Sequence, residues 1–349
     1  MHKSGPFDVR PPKTYMKINC SHLGIDVSKL KLDVVLLLVA GQHCASFPNT
    51  SAGFKALLQW LARFPQPVRV CLEATGTYSL PVARFLQAQG LRVSIVNPMA
   101  VHFFARTQMS RNKTDAHDAA LIARYSQQHQ PRSWQPPSAA QEQLQALVRA
   151  REQLLDSRVL AQQHLESAPK SVGSFFKVQI RQLDRQILRL EQQLQQSLQE
   201  HPSLAQAVKL LTSIPGIGTI TAVTVLAIIP PIDQLDSARQ LAAFAGVTPC
   251  QRQSGTFTGK THLSKFGHRR LRKALYFPAL AALRSNRRVQ ALAIRLAQKG
   301  KSKMVIVGAA MRLLTHLIFG VLKNHIPFDP DYLQRRCRAA ASLQLAPGS

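Results

Sequence analysis

A chain of 349 residues is long enough for two or three domains, and a hydrophobic content of 45% can fill real cores. It carries 45 Lys plus Arg against 17 Asp plus Glu, a net charge of +28, which attracts polyanions and releases counterions from nucleic acid on binding. The basic residues do not gather along one amphipathic helix, so the charge does not describe a membrane-surface protein. The five cysteines (Cys20, Cys44, Cys71, Cys250, Cys337) are far apart and form no C-x-x-C pair or Cys/His cluster. That pattern argues against zinc and fits a reducing cytoplasm. Residues 1–15 lack the apolar core of a secretory signal, and residues 304–322, interrupted by Arg312 and His316, read as a core helix. No membrane span is expected.

In chain order, residues 1–17 read as a flexible tail and 18–130 as an α/β domain. Residues 23–27 and 32–39 are strands, with turns at Ser28-Lys29 and Gly41-Gln42 that suggest an antiparallel meander. Asn49, Thr50 and Ser51 offer N-caps for a helix through Phe64. A strand over 68–72 ends at Glu73. A helix over 79–89 is closed by Gly90, and a strand over 91–96 ends at Asn97-Pro98. A meander followed by alternating helix and strand is the element order of an RNase H-like (RuvC-like) fold.

Residues 131–203 form a Pro-containing linker and then a helical hairpin. Ile180, Leu183, Ile187, Leu190, Leu194 and Leu198 follow alternating spacings of three and four, an a/d seam with polar flanks. That seam serves equally for packing within the chain and between chains. Residues 204–328 read as mostly helical with Gly/Pro turns, and 329–349 as a basic tail.

Three constellations can carry chemistry. Asp26 ends the first strand in G-I-D-V-S-K and Glu73 ends a later one in C-L-E-A-T-G. Carboxylates at the ends of adjacent strands can converge on a divalent cation that prefers hard oxygen ligands. Asp115 and Asp118, in K-T-D-A-H-D-A, share one helical face behind the N-cap Thr114. Taken singly, each acid is equally well a cap or turn residue. The neighbouring Lys113, Arg111 and Arg106 suit a metal–phosphate site better than a plain cap.

The second constellation, Ser213-Ile214-Pro215-Gly216-Ile217-Gly218-Thr219, has the form of a helix-hairpin-helix turn. Gly216 and Gly218 would let backbone approach a phosphate at a helix N-terminus, although an ordinary turn between packed helices has the same form. In the third, Ser254 lies in a Gly-rich loop followed by Lys260, Lys265, Arg269, Arg270 and Arg272. Dense positive charge can hold a phosphate and stabilise its transition state. A serine hydroxyl still needs activation, and the loop supplies no obvious base.

In this order the motifs G-I-D-V-S-K, L-E-A-T-G, K-T-D-A-H-D-A, I-P-G-I-G and P-x-Q-x-x-S-G followed by L-S-K-x-G-x-x-x-L-R resemble one family. They are similar to the DEDD transposases of the bacterial insertion-sequence group numbered one hundred and ten, which are bridge-RNA-guided serine recombinases. The resemblance runs over residues 23–322 and implies a RuvC-like domain whose Asp26, Glu73, Asp115 and Asp118 bind Mg²⁺ (or Mn²⁺). It further implies a coiled coil joining protomers into a dimer or tetramer, and a C-terminal serine, here Ser254, that forms a transient phosphoserine link to DNA. The acid site of one protomer is expected to act with the serine of another. Donor DNA, target DNA and a bridge RNA are the implied partners, in a bacterial cytoplasm. Many relatives have two serines before the glycine where this chain has Gln253-Ser254. A RuvC-like nuclease using water, a non-catalytic nucleic-acid-binding protein and an inactive copy are the competing expectations.

Overall fold

The computed structural model describes residues 20–65, 67–76, 78–108, 114–251, 253–254, 257–259 and 261–332. Lys113, Lys260, the expected N-terminal tail and residues 333–349 of the expected basic tail lie outside them. The chain divides into two units, Met1–Pro136 and Pro137–Ser349.

Unit 1 opens with a meander of β1 (Ser21–Val27), β2 (Lys31–Leu38) and β3 (Gly41–Pro48). Helix α1 (Ser51–Leu61) starts where the Thr50 hydroxyl accepts from the Gly53 amide at 3.3 Å, and it ends short of Phe64. Strand β4 (Val68–Glu73), helix α2 (Ser79–Ala88) and strand β5 (Arg92–Val96) follow. The sheet order is β3-β2-β1-β4-β5. Strand β2 is antiparallel to β1 and β3, while β4 is parallel to β1 and β5.

Period-two alternation divides the sheet into two faces. Leu23, Ile25, Leu32, Val34, Val70 and Leu72 pack on α1 and α2 through Phe54, Leu57, Val82 and Leu86. The opposite face, with Val35 and Cys71, is covered by α3 (Pro98–Thr107) and α4 (Asp115–His129). The sequence reading ended at Asn97-Pro98 and held no α3. Here Asn97 is an N-cap whose Oδ1 accepts from the Met99 amide at 2.9 Å, and Pro98 is the first helical residue. Proline is well suited to that position because its missing N–H has no partner there anyway. The expected linker around 131–137 is partly tied down: the Trp134 amide donates to the Val93 carbonyl at 2.7 Å.

In unit 2, α5 (Ala139–Ser167) and α6 (Gly173–Glu200) form a hairpin. Ile180 and Leu183 pack with Ala161, Leu154 and Leu165, while Leu194 and Leu198 pack with Leu144 and Val148. Arg151–Glu191 at 2.6 Å and Arg158–Asp184 at 2.5 Å join the two helices. The periodic seam is therefore used within the chain.

Helices α7 (Pro202–Thr212), α8 (Thr219–Ile228) and α9 (Ala238–Ala245) lead to short ribbons. In these, β6 (Pro249–Cys250) pairs with β9 (His262–Leu263), and β7 (Gln253–Ser254) pairs with β8 (Phe257–Thr258). Helices α10 (Arg269–Ser285), α11 (Arg287–Gln298) and α12 (Lys303–Asn324) complete the unit. By length and composition α12 could cross a membrane, yet 56% of that stretch is buried. Its Val307, Met311, Leu314 and Ile318 belong to the core of unit 2.

Candidate active site

The register of β1 and β4 sets Ile25 opposite Leu72. Asp26 and Glu73 are the next residue of each strand, so they lie side by side on the face that α4 covers. Gly24 shares that face. A Cβ there would overlap the Ala119 carbonyl oxygen and the Ala123 amide nitrogen, so glycine is what lets α4 lie directly on β1. The Thr114 hydroxyl accepts from the His117 amide at 3.2 Å, which starts α4 with Asp115 and Asp118 in its first turn.

These carboxylates feel one another. Burial holds the Asp26 carboxyl above its ordinary range, with added repulsion from Asp118, Asp115 and Asp33, and a hydrogen bond from the Val27 amide opposes the rise. Burial, then Asp26 and Asp118, push Glu73 up to about 7. Asp115 behaves differently, because Lys31 holds its carboxyl below the ordinary value. The Lys31 ammonium lies 2.6 Å from Asp115 Oδ2 and 3.0 Å from Asp33 Oδ2.

Lys31 and Asp33 were not singled out in the sequence. Their signal is the alternation Lys31-Leu32-Asp33-Val34, which sends both polar side chains to the α4 face, with Asp33 paired across the sheet to Asp26. Among the described residues no group of three His, Cys, Asp or Glu side chains is arranged to hold a metal ion as it stands. The donor chemistry nevertheless fits a hard divalent cation. Asp26, Glu73 and Asp118 are half-buried carboxylates, and a cation among them would offset the burial and the mutual repulsion that together raise Glu73.

In unit 2, Ser254 is exposed on β7 and pairs in register with Phe257, so a hairpin stands where the sequence suggested a loop. No base is bonded to its hydroxyl among the described residues. The glycines of the α7–α8 turn have different surroundings. Gly216 has φ +102°, and a Cβ there would press into Ala282 of α10, so its smallness serves packing. Gly218 is open to solvent at the N-terminus of α8, where no side chain caps the helix. The basic residues also divide. Arg270 Nε lies 2.6 Å from Glu152, and the Arg272 guanidinium donates to the Ala245 and Lys265 carbonyls at 3.2 Å. Lys265 and Arg269 are exposed and are in no ion pair among the described residues.

Comparison with known proteins gives these residues a setting. Residues 23–172 match the IS110-type DEDD family profile described as "Transposase", and residues 208–293 match "Transposase IS116/IS110/IS902 family". Over 314 residues, 88% of this chain and 98% of its relative, the sequence is 32% identical to the pilin gene-inverting protein of Moraxella bovis. The chain belongs to the IS116/IS110/IS902 family of transposases. Similarity extends to the transposase for insertion sequence element IS1111A of Coxiella burnetii, 27% identical over 62% of this chain and 66% of that protein. The transposase for IS1328 of Yersinia enterocolitica is 25% identical over 74% of this chain and 82% of its own length. For this IS110-type transposase, an enzyme acting on DNA, the first match spans all four acids and the second runs from α7 past Ser254 into α11.

Proposed function

We propose that this transposase cuts and exchanges DNA strands through a serine–DNA intermediate, with Asp26, Glu73, Asp115 and Asp118 as Mg²⁺ (or Mn²⁺) ligands and Ser254 as the nucleophile. The observation that carries the reading is the half-buried cluster of Asp26, Glu73 and Asp118 on the face closed by α4, where burial first, and then repulsion from Asp26 and Asp118, raise Glu73 to about 7. The sheet order, antiparallel meander first and parallel strands after, supports an RNase H-like domain over 18–130. When bound, the divalent ion supplies charge neutralisation for the phosphoryl group under attack.

The chain's own residues do the rest. Asp26 and Glu73 present oxygens from adjacent strand ends, and Asp118 presents its carboxylate from the helix above. The Ser254 Oγ–P bond forms as the P–O bond to a deoxyribose oxygen breaks, with the serine proton passing in net to that oxygen. Lys265 and Arg269 hold the flanking phosphates, with Lys113 and Lys260 as further contacts. The α7–α8 turn acts as a helix-hairpin-helix element, offering the amides that follow Gly218 to the backbone.

Phe175 on the α5–α6 hairpin is 73% exposed, and Val159, Leu160 and Leu188 also face outward. These apolar side chains support a second role for the hairpin, joining protomers of a dimer or tetramer as a coiled coil. A bridge RNA paired to donor and target DNA is the proposed source of site choice, in the bacterial cytoplasm, and the +28 charge suits both polymers.

The deciding experiment is covalent trapping. Protein, Mg²⁺, element DNA and flank-derived RNA are mixed, quenched in denaturant and resolved by mass. An adduct at Ser254 that vanishes in Ser254→Ala and Asp118→Asn supports the reading. Cleavage without an adduct would make the protein a water-using nuclease, and binding alone a non-catalytic one.

A further inference from the structure

Unit 2 carries an open groove of about 500 Å³ between α10 and α12 whose walls include Lys265, Arg269, Lys273, Phe277 and Met304. Arg269, Lys273 and Phe277 recur every four residues along α10, so two cations and an aromatic ring form one stripe. Phe277 is 75% exposed and Met304 64%, while Val307 and Met311 form a buried floor. Among the described residues no Asp or Glu lines the groove. Lys273 makes an ion pair with Asp156 at 3.0 Å, both largely exposed, a pair that a competing polyanion can replace.

The rim at Lys265 is held in place. Its amide donates to the Gly246 carbonyl at 3.2 Å, its carbonyl accepts from Arg272, and the preceding Ser264 amide donates to Thr248 at 2.8 Å. A groove with a flat apolar surface and cations along its edge matches a polymer that pairs flat rings with phosphates. A duplex buries its ring faces, so the matching form is unpaired. The position narrows the choice further. Leu263, in the groove wall, belongs to β9 and pairs with Pro249 of β6, and the segment between those two strands carries Ser254. The groove is thus at the root of the ribbon that holds the proposed nucleophile.

We propose that this groove binds an unpaired nucleotide of the DNA strand undergoing exchange, its base stacked on Phe277 beside Met304 and its phosphates on Lys265 and Arg269. Naming DNA rests on the function proposed above; the stacking chemistry does not.

The test uses full-length protein in EDTA, which separates binding from strand chemistry, and a single-stranded oligodeoxynucleotide carrying 2-aminopurine. Wild-type protein should quench the 2-aminopurine on binding. Phe277→Ala should weaken binding about ten-fold and lose the quench, whereas Phe277→Trp keeps both. Phe277 is exposed, so neither change empties the core. Phe277→Ala binding within two-fold of wild type would overturn the proposal, as would preference for duplex or for RNA of the same sequence. Phe277→Ala lowering the assembly mass in sedimentation instead would make the groove a contact between copies. If wild-type protein quenches here but forms no adduct at Ser254 in the Mg²⁺ trapping experiment, the serine mechanism fails and the groove stands; an adduct without quenching sinks the groove alone.

Discussion

Lys31 donates to Asp115 at 2.6 Å and so fastens the second strand to the first turn of the helix that carries two of the acids. The same ammonium reaches Asp33, which is paired across the sheet with Asp26. One cation therefore positions Asp115 beside the carboxylates it repels and offsets part of that repulsion. Both partners are exposed, so the pair adds little to stability. Lys31→Met is expected to leave Tm within about 2 °C. It should lower the Mg²⁺ concentration that half-saturates adduct formation, because one positive charge has left the site. It should also reduce the maximal rate several-fold, because Asp115 is no longer positioned. A Mg²⁺ titration of trapped adduct reads both, and an unchanged midpoint and rate would show that the contact is idle.

Glu73 gives a pH signature without metal. Its carboxyl rises from an ordinary 4.5 to about 7 in the folded chain. Between those values the folded state holds more proton than the unfolded state, so stability falls as pH rises through that window. Glu73→Gln should flatten this slope. In EDTA at pH 8 the variant should melt about 2–4 °C above wild type. Added Mg²⁺ should stabilise wild type at pH 8 more than the variant. Melting curves from pH 5 to 8 decide it, and parallel curves for the two proteins would refute the burial argument.

Much of this was legible in the chain because the signals are local. The alternation around Leu23 and Ile25 marks β1 and leaves Asp26 at its end, and Thr114 announces the helix that begins with Asp115. What stayed hidden depends on distant partners. Pro98 is the exception: Asn97-Pro98 reads as the end of β5, although Asn at the cap and Pro at the first helical position is also a local start signal. Gly216 reads as a phosphate contact or as a turn between packed helices, and its closeness to Ala282, far along the chain, is not legible locally. Phe277 reads as core by its side chain alone, although it falls in step with Arg269 and Lys273 on the exposed face of α10.

Gly24 sets the distance between β1 and α4, and its replacement should be felt in two places. A methyl group there meets backbone atoms of Ala119 and Ala123, which cannot move without shifting the helix. Gly24→Ala should destabilise unit 1 by about 3 kcal/mol. It should also lift Asp115 and Asp118 off Asp26, so trapped adduct should fall even in the fraction that remains folded. Denaturant midpoints and adduct yield per folded molecule measure the two effects. Gly53→Ala probes another glycine whose Cβ would meet backbone, that of Pro48. It should cost stability without the same loss of adduct per folded molecule.

Arg269 and Arg272 lie one helical turn apart and looked alike in the sequence, but the structure gives them different work. Arg272 donates to the carbonyls of Ala245 and Lys265, closing the turn after α9 against the start of α10. Arg269 is exposed and projects into the groove without an ion pair among the described residues. Arg272→Ala should therefore destabilise unit 2 by about 1–3 kcal/mol through the lost charge-assisted hydrogen bonds. Arg269→Ala should leave Tm unchanged, weaken DNA binding, and reduce the slope of log K against log salt by about 0.7–0.9, one released counterion. Thermal melts and binding isotherms at several salt concentrations separate the two. If Arg269→Ala leaves the salt slope untouched, its guanidinium does not meet a phosphate, and the cationic edge of the groove begins at Lys265 instead.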